Sequence, residues 1–114
     1  MAKSQIKSQK RITRYGEVFT AEHEVNAMLD MIGEDVYKAD RIVLEPACGS
    51  GNFLVETLKR RLKRIKEYEP DIKQYYIRSI KAVSSLYGID ILDDNVQECQ
   101  NRLLQLWKKI QNNI

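Results

Sequence analysis

The sequence predicts an α/β domain: the opening of a doubly wound fold, with two parallel strands and flanking helices. Three observations predict it. The run Arg41-Ile42-Val43-Leu44 ends in an acid, Glu45, and leads into a small-residue turn with glycines at 49 and 51. A second short run, Ser85-Leu86-Tyr87-Gly88-Ile89-Asp90, also ends in an acid. Around both, apolar residues recur at helical spacing. The order helix–strand–helix–helix–strand–helix implies parallel strands joined by a right-handed crossover.

Each element has its own signal. Residues 1–14 are polar and basic and read as a flexible arm. Thr20 is placed to cap a helix from Ala21 to about residue 34, with Val25, Met28, Leu29 and Ile32 on one face. The first strand spans 41–45. A helix opens at Asn52 and runs to about residue 67, carrying Leu54, Leu58, Leu62 and Ile65 and ending before Pro70. Asp71 is placed to cap a third helix to about residue 83, packing through Ile72, Tyr75, Tyr76, Ile80 and Val83. The second strand lies within 85–90. Asp93 or Asp94 caps the last helix, whose stripe is Val96, Cys99, Leu103, Leu106, Trp107 and Ile110.

Composition narrows the class. The 114 residues make one domain or part of one, with 43% hydrophobic and 31% charged residues, as a globular protein has. No apolar run approaches the about 20 residues of a membrane helix, and the start Met-Ala-Lys-Ser-Gln-Ile-Lys has no secretory h-region. A cytoplasmic location is expected. Cys48 and Cys99 have no metal spacing and read as small buried thiols; no metal site is expected. His23 has no nucleophile or ligand partner in the pattern and reads as a surface residue. The net charge of +3 diagnoses nothing, but cations cluster at Lys3, Lys7, Lys10, Arg11 and Arg14, and again at Lys59, Arg60, Arg61, Lys63, Arg64 and Lys66. Such clusters can meet phosphates. The plainer reading is a mobile tail and a solvated helix face, and it is the favoured one for the helix cluster.

The turn carries the chemistry. Glycines 49 and 51 remove the Cβ atoms that would hold a ligand off the backbone, and they permit positive φ. The helix opening at Asn52 points free N–H groups into a crevice at the carboxyl end of the strand. The string Glu45-Pro46-Ala47-Cys48-Gly49-Ser50-Gly51-Asn52-Phe53 closely resembles motif I of the S-adenosylmethionine-dependent DNA methyltransferases that modify exocyclic amines, (Asp/Glu)-Pro-x-Cys-Gly-Ser-Gly-x-Phe. Tyr15-Gly16-Glu17-Val18-Phe19-Thr20 resembles motif X, with Ala21 where that motif usually has proline. Tyr87-Gly88-Ile89-Asp90-Ile91 resembles motif II. These ordered matches are similar to the N-terminal part of adenine-specific methylases of restriction–modification systems.

The resemblance implies a Rossmann-like methyltransferase fold, with residues 15–114 an incomplete S-adenosylmethionine-binding domain. It implies that Phe19 and Thr20 close over the methionine end, and that the turn through Cys48, Gly49 and Gly51 lies against the methionine and ribose portions. It also implies that the Ala47 carbonyl faces the amino group and that Asn52 and Phe53 belong to the cofactor site. Glu45 suits the ligand's positive end, and the compatible plainer role is to cap the turn through backbone N–H groups. Asp90 accepts from the ribose hydroxyls and Ile91 packs on the adenine; the competing reading of Asp90 is a turn residue. The family's catalytic motif IV, (Asn/Asp)-Pro-Pro-(Tyr/Phe), and its acidic motif III have no counterpart here. No catalytic residue is therefore assigned, and the chain alone is expected to be inactive. DNA is the expected partner of the parent enzyme. Incompletely covered Ile42, Leu44, Leu86 and Ile89 predict self-association or a complementary methylase fragment. A standalone module acting through protein association remains open as the alternative, while a methyltransferase acting on RNA or protein fits the motif string less well.

Overall fold

A computed structural model describes residues 20–69 and 71–112. The expected basic arm and Phe19 of the motif X segment lie outside the described residues. The elements are α1 (Glu22–Ile32), a 3-10 helix (Gly33–Tyr37), β1 (Val43–Glu45), α2 (Asn52–Tyr68), α3 (Ile72–Ser84), β2 (Leu86–Gly88) and α4 (Asp93–Asn112). The strands are parallel, with Val43 opposite Leu86, Leu44 opposite Tyr87 and Glu45 opposite Gly88. The mixed α/β character and the element order match the expectation.

The first helix differs from its sequence reading in two ways. Ala21, not Thr20, occupies the N-cap, and no side chain caps it; Glu22 and Glu24 in the first turn instead complement the helix dipole. The helix stops at Gly33, whose φ of 82° only glycine adopts freely, and the chain continues as the 3-10 helix, which the sequence reading missed. Val25 and Leu29 are buried with Val36 of that helix, whereas Met28 and Ile32 are 49% and 61% exposed. The 3-10 turn brings Val36 onto the Val25–Leu29 pair, so Ile32 is not needed there.

Helix α2 is the hub. It packs against α1, the 3-10 helix, α3, α4 and β2. Its predicted stripe, Leu54, Leu58, Leu62 and Ile65, is buried, as are Val55, Glu56, Thr57 and Arg61. A helix touched from so many sides buries polar positions too, and each then needs a partner. Glu56 accepts from Asn26 at 2.9 Å and pairs with Lys59 at 2.8 Å. Thr57 donates to the Phe53 carbonyl at 2.7 Å.

Arg61 is the largest fully buried side chain. Its Nε donates to the Val36 carbonyl at 3.1 Å and its Nη2 to the Arg41 carbonyl at 2.7 Å. Its Nη1 reaches Ser85 Oγ at 2.8 Å and the Ala82 carbonyl at 3.3 Å. Burial pulls the guanidinium below its ordinary value, and the charge of Asp40 opposes that. Both readings of the α2 cation cluster fail at this residue: it faces neither phosphate nor solvent. Arg60 and Arg64 pair with Asp30 at 2.8 Å and Glu34 at 3.0 Å.

Helix α3 begins as expected, with Asp71 accepting from the Lys73 N–H at 2.9 Å. Its packing face is as expected in part: Tyr75 and Val83 pack on the core and Tyr76 meets the Trp107 ring. Ser79 and Ala82 are fully buried, whereas Ile72 and Ile80 are 57% and 42% exposed. Small residues let α3 approach closely enough for the Ala82 carbonyl to meet Arg61 and for Ser79 Oγ to accept from Trp107 Nε1 at 3.0 Å. Helix α4 keeps its predicted stripe, with Cys99 and Ile110 buried and Leu103 and Leu106 packed on the core.

The two faces of the sheet are unlike. Leu86 packs into the main core, and Gly88 sits against Leu54 and Cys48. Successive strand residues alternate faces, so Leu44 and Tyr87 share the other side, with Ile42 and Ile89 two positions along. All four are at least half exposed. Of the four residues expected to be poorly covered, Leu86 is thus an exception.

Candidate functional site

The site forms where β1 and β2 end. Pairing continues past the strands: the Ile89 N–H donates to the Glu45 carbonyl, and the Cys48 N–H to the Ile89 carbonyl, both at 3.0 Å. Glu45 turns back on its own loop, with Oε1 accepting from the Ala47 N–H at 3.1 Å; this is the turn-capping role weighed for it. The Gly51 N–H then closes a tight turn on the Cys48 carbonyl at 2.9 Å. Gly49 and Gly51 have φ of 54° and 97°, the left-handed conformation their sequence pattern implied.

The two glycines serve different neighbours. A Cβ at Gly51 would lie 2.6 Å from Cys99 Sγ, whereas one at Gly49 would meet nothing within 4 Å. Gly51 therefore admits helix α4, and Gly49 leaves its backbone open on the outward side. Helix α2 starts directly after, with the Val55 N–H on the Gly51 carbonyl at 2.8 Å.

Asp90 joins both strand ends. Its Oδ2 accepts from the Gly49 N–H at 3.0 Å and its Oδ1 from the Leu92 N–H at 2.8 Å, with Asn95 Nδ2 at 3.4 Å. Asn52 Nδ2 donates to the Thr20 carbonyl at 2.8 Å, which places Thr20 beside the turn. Arg102 Nη1 donates to Asn52 Oδ1 at 2.8 Å and to the Ser50 carbonyl at 3.0 Å. Burial first, then Cys99 and Asp90, push the Cys48 thiol up to about 11; burial also raises Cys99.

The structure thus gathers Thr20, Glu45, Ala47, Cys48, Gly49, Gly51, Asn52 and Asp90 around one turn. Ile91 stands next to Asp90, 80% exposed. Phe53 packs inward on the Val25 cluster. The sequence reading missed Asn95 and Arg102. With Cys99 they occupy positions i, i+4 and i+7 of α4, so helical period places all three on one face. Among the described residues no group of three His, Cys, Asp or Glu could hold a metal, and no helix is long and apolar enough to cross a membrane.

A separate cleft of about 490 Å³ opens at the amino ends of the strands, between Tyr37, Asp40, Arg64, Tyr68 and Lys81. It contains none of the predicted site residues, and among its cations Lys38, Arg64 and Arg78 are paired with Asp35, Glu34 and Glu69.

A glycine turn at parallel strand ends, joined to an acid just past the neighbouring strand, sets this edge of the mixed α/β module apart. Residues 5–100 match the model of the N-6 DNA Methylase family, and the chain belongs to that family. It is 37% identical over 78 residues to the type II restriction enzyme and methyltransferase RM.BcgI of Heyndrickxia coagulans, an alignment covering 67% of this chain and 10% of that protein. The chain spans about a tenth of the length of this curated relative. No solved structure matches it.

Proposed function

We propose that the chain is the S-adenosylmethionine-binding portion of an adenine-specific DNA methyltransferase of a restriction–modification system. The observation that carries this reading is the open backbone at Gly49 directly beside the Asp90 carboxylate. It is a cradle that a Cβ would fill, and it fits a ligand that must touch main chain and present hydroxyls to an acid.

In this reading Gly49 and Gly51 shape the turn under the methionine and ribose portions. Asp90 keeps its bonds to the Gly49 and Leu92 N–H groups and uses the remaining lone pairs of both oxygens for the ribose diol. Thr20 and Phe19 close the methionine end, Glu45 and Ala47 face the ligand's amino group, and exposed Ile91 supplies an apolar face for adenine. Arg102 holds Asn52 and Ser50 in place. The sulfonium of the bound cofactor would supply an activated methyl group; the chain's own residues only bind and orient it. Methyl transfer to DNA would need residues beyond this segment, in a cytoplasmic parent enzyme.

Calorimetric titration with S-adenosylmethionine and with its demethylated product tests the reading. Weak binding is expected, and Asp90→Ala should cost about 1.5–3 kcal/mol, roughly ten- to hundredfold in affinity. Equal affinities for the two proteins would sink the assignment of Asp90. A radiolabel transfer assay on DNA should read blank for the chain alone.

The bare sheet face formed by Ile42, Leu44, Tyr87 and Ile89 favours a companion reading, in which the module acts through association with itself or with a complementary methylase fragment. Sedimentation equilibrium at micromolar concentrations distinguishes it: a mass above one chain is expected, and a stable monomer would count against self-association.

A further inference from the structure

We propose that Cys48 and Cys99 form a modification site, an oxidisable dithiol that closes to a disulfide beneath the glycine turn. They are the only two cysteines of the chain and stand 51 positions apart in sequence, on different elements. The fold brings them together. The Gly51 N–H on the Cys48 carbonyl folds Cys48 back next to Gly51. On Gly51's open side lie Cys99 Sγ and Cβ, 2.6 and 3.1 Å from where a Cβ would stand. The Cys48 side chain turns inward, its Cβ and Sγ 2.9 and 3.0 Å from the corresponding point at Gly88. The two thiols face each other between these glycines, the Cys48 thiol donating to the Gly49 carbonyl at 3.5 Å.

The chemistry balances with a hydroperoxide as oxidant. Cys48 is the more exposed thiol and reacts first. Its thiolate attacks a peroxide oxygen, the O–O bond breaks, and the departing hydroxide takes up the thiol's proton as water. This leaves Cys48 as a sulfenic acid. The Cys99 thiolate attacks that sulfur, the S–O bond breaks, and a second water leaves with the Cys99 proton. Two thiols lose two electrons in total, and one hydrogen peroxide becomes two waters.

Reactivity is held back at neutral pH. Burial pushes Cys48 up to about 11 and raises Cys99 as well, so few molecules carry the nucleophilic thiolate. The rate should rise about tenfold per pH unit on the alkaline side of neutrality, below the Cys48 value.

The test uses the full chain treated with hydrogen peroxide, then denatured in N-ethylmaleimide and weighed by mass spectrometry. The expected product has lost the mass of two hydrogen atoms, carries no maleimide, and yields on digestion a linked pair of peptides containing Cys48 and Cys99. In Cys99→Ser the Cys48 sulfenic acid should accumulate and be trapped by dimedone, and Cys48→Ser should form no internal link. Far-ultraviolet dichroism confirms that each variant is folded. Two maleimides on the wild-type chain after prolonged oxidation, or links only between chains, would overturn the proposal. The readout is covalent and does not depend on cofactor binding, so its failure and failure of the cofactor reading are separately visible.

Discussion

The amino and carboxyl ends of the two-stranded sheet are each held by one charged side chain, and they hold it differently. At the amino ends Arg61 is 0% exposed and donates to carbonyls from both segments that lead into the strands. At the carboxyl ends Asp90 is only partly buried and accepts N–H groups from the glycine turn and from the start of α4. A buried guanidinium turns its donors to the fold, since a donor without a partner there costs free energy. A carboxylate has about four lone-pair sites and can bind two backbone N–H groups while keeping acceptor capacity toward solvent. The cation end is a lock and the anion end a platform.

Removing the lock should have the largest effect. Arg61→Met leaves the Val36, Arg41 and Ala82 carbonyls without their shared donor, and a loss of about 3–5 kcal/mol is expected. That is a large share of a small domain's net stability. The midpoint of urea unfolding measures it, and a shift no larger than that of an ordinary surface variant would break the comparison.

Next comes the turn. Gly51→Ala meets both the backbone cost of φ 97° and Cys99 Sγ at 2.6 Å; about 1–3 kcal/mol is expected from the conformation, with overpacking adding to it. The double variant Gly51→Ala/Cys99→Ala should recover part of that loss and no more, because the positive φ persists. Full recovery would show that the sulfur contact alone makes glycine necessary.

Asp90→Asn sharpens the contrast with Arg61. One oxygen becomes an NH2 group facing N–H donors, so about 1–2 kcal/mol of stability should go, less than for the lock. Loss of stability equal to that of Arg61→Met would make Asp90 another lock.

The smallest effect is expected one helical turn from Arg61. Glu34 and Arg64 form an exposed pair, and the Arg64 hydrogen bond, reinforced by its charge, holds the Glu34 carboxyl below its usual range. A depressed carboxyl contributes above its unfolded value, and that contribution goes as pH falls through the folded one. Any difference between Glu34→Gln and the wild type in chemical denaturation should therefore be slight near neutrality and absent in acid. A large neutral difference would mean that exposed pairs carry the amino end as well.

Much of this architecture was legible in the sequence, for identifiable reasons. The glycine turn announced itself because positive φ and close approach leave glycine few substitutes. The α2 and α4 stripes were legible because each runs for several turns. The 3-10 helix escaped because a five-residue element has no period to display. Met28, Ile32, Ile72 and Ile80 were assigned to packing faces that in fact use Val36, Ser79 and Ala82; pattern reading favours large apolar residues and misses close approach through small ones. Arg61 was hidden inside a run of cations, since only tertiary carbonyls distinguish it from Arg60. Asp90 was found, but its bond to the Gly49 N–H joins residues 41 positions apart, which no local pattern specifies.

The position of Arg61 in the chain has a kinetic consequence. Direct pairing of Val43 with Leu86 must close a loop of 43 residues, the difference between the paired positions. The Arg61 bonds to Arg41 and Ser85 span 20 and 24 residues instead. Closure entropy rises with loop length, so α2 offers the two strands a shared waypoint that each reaches through about half of that loop. Parallel pairing is a slow, long-range event. An early α2, presenting its guanidinium to one strand approach and then the other, turns that event into two shorter searches, and Arg61→Met should slow folding as well as weaken the fold.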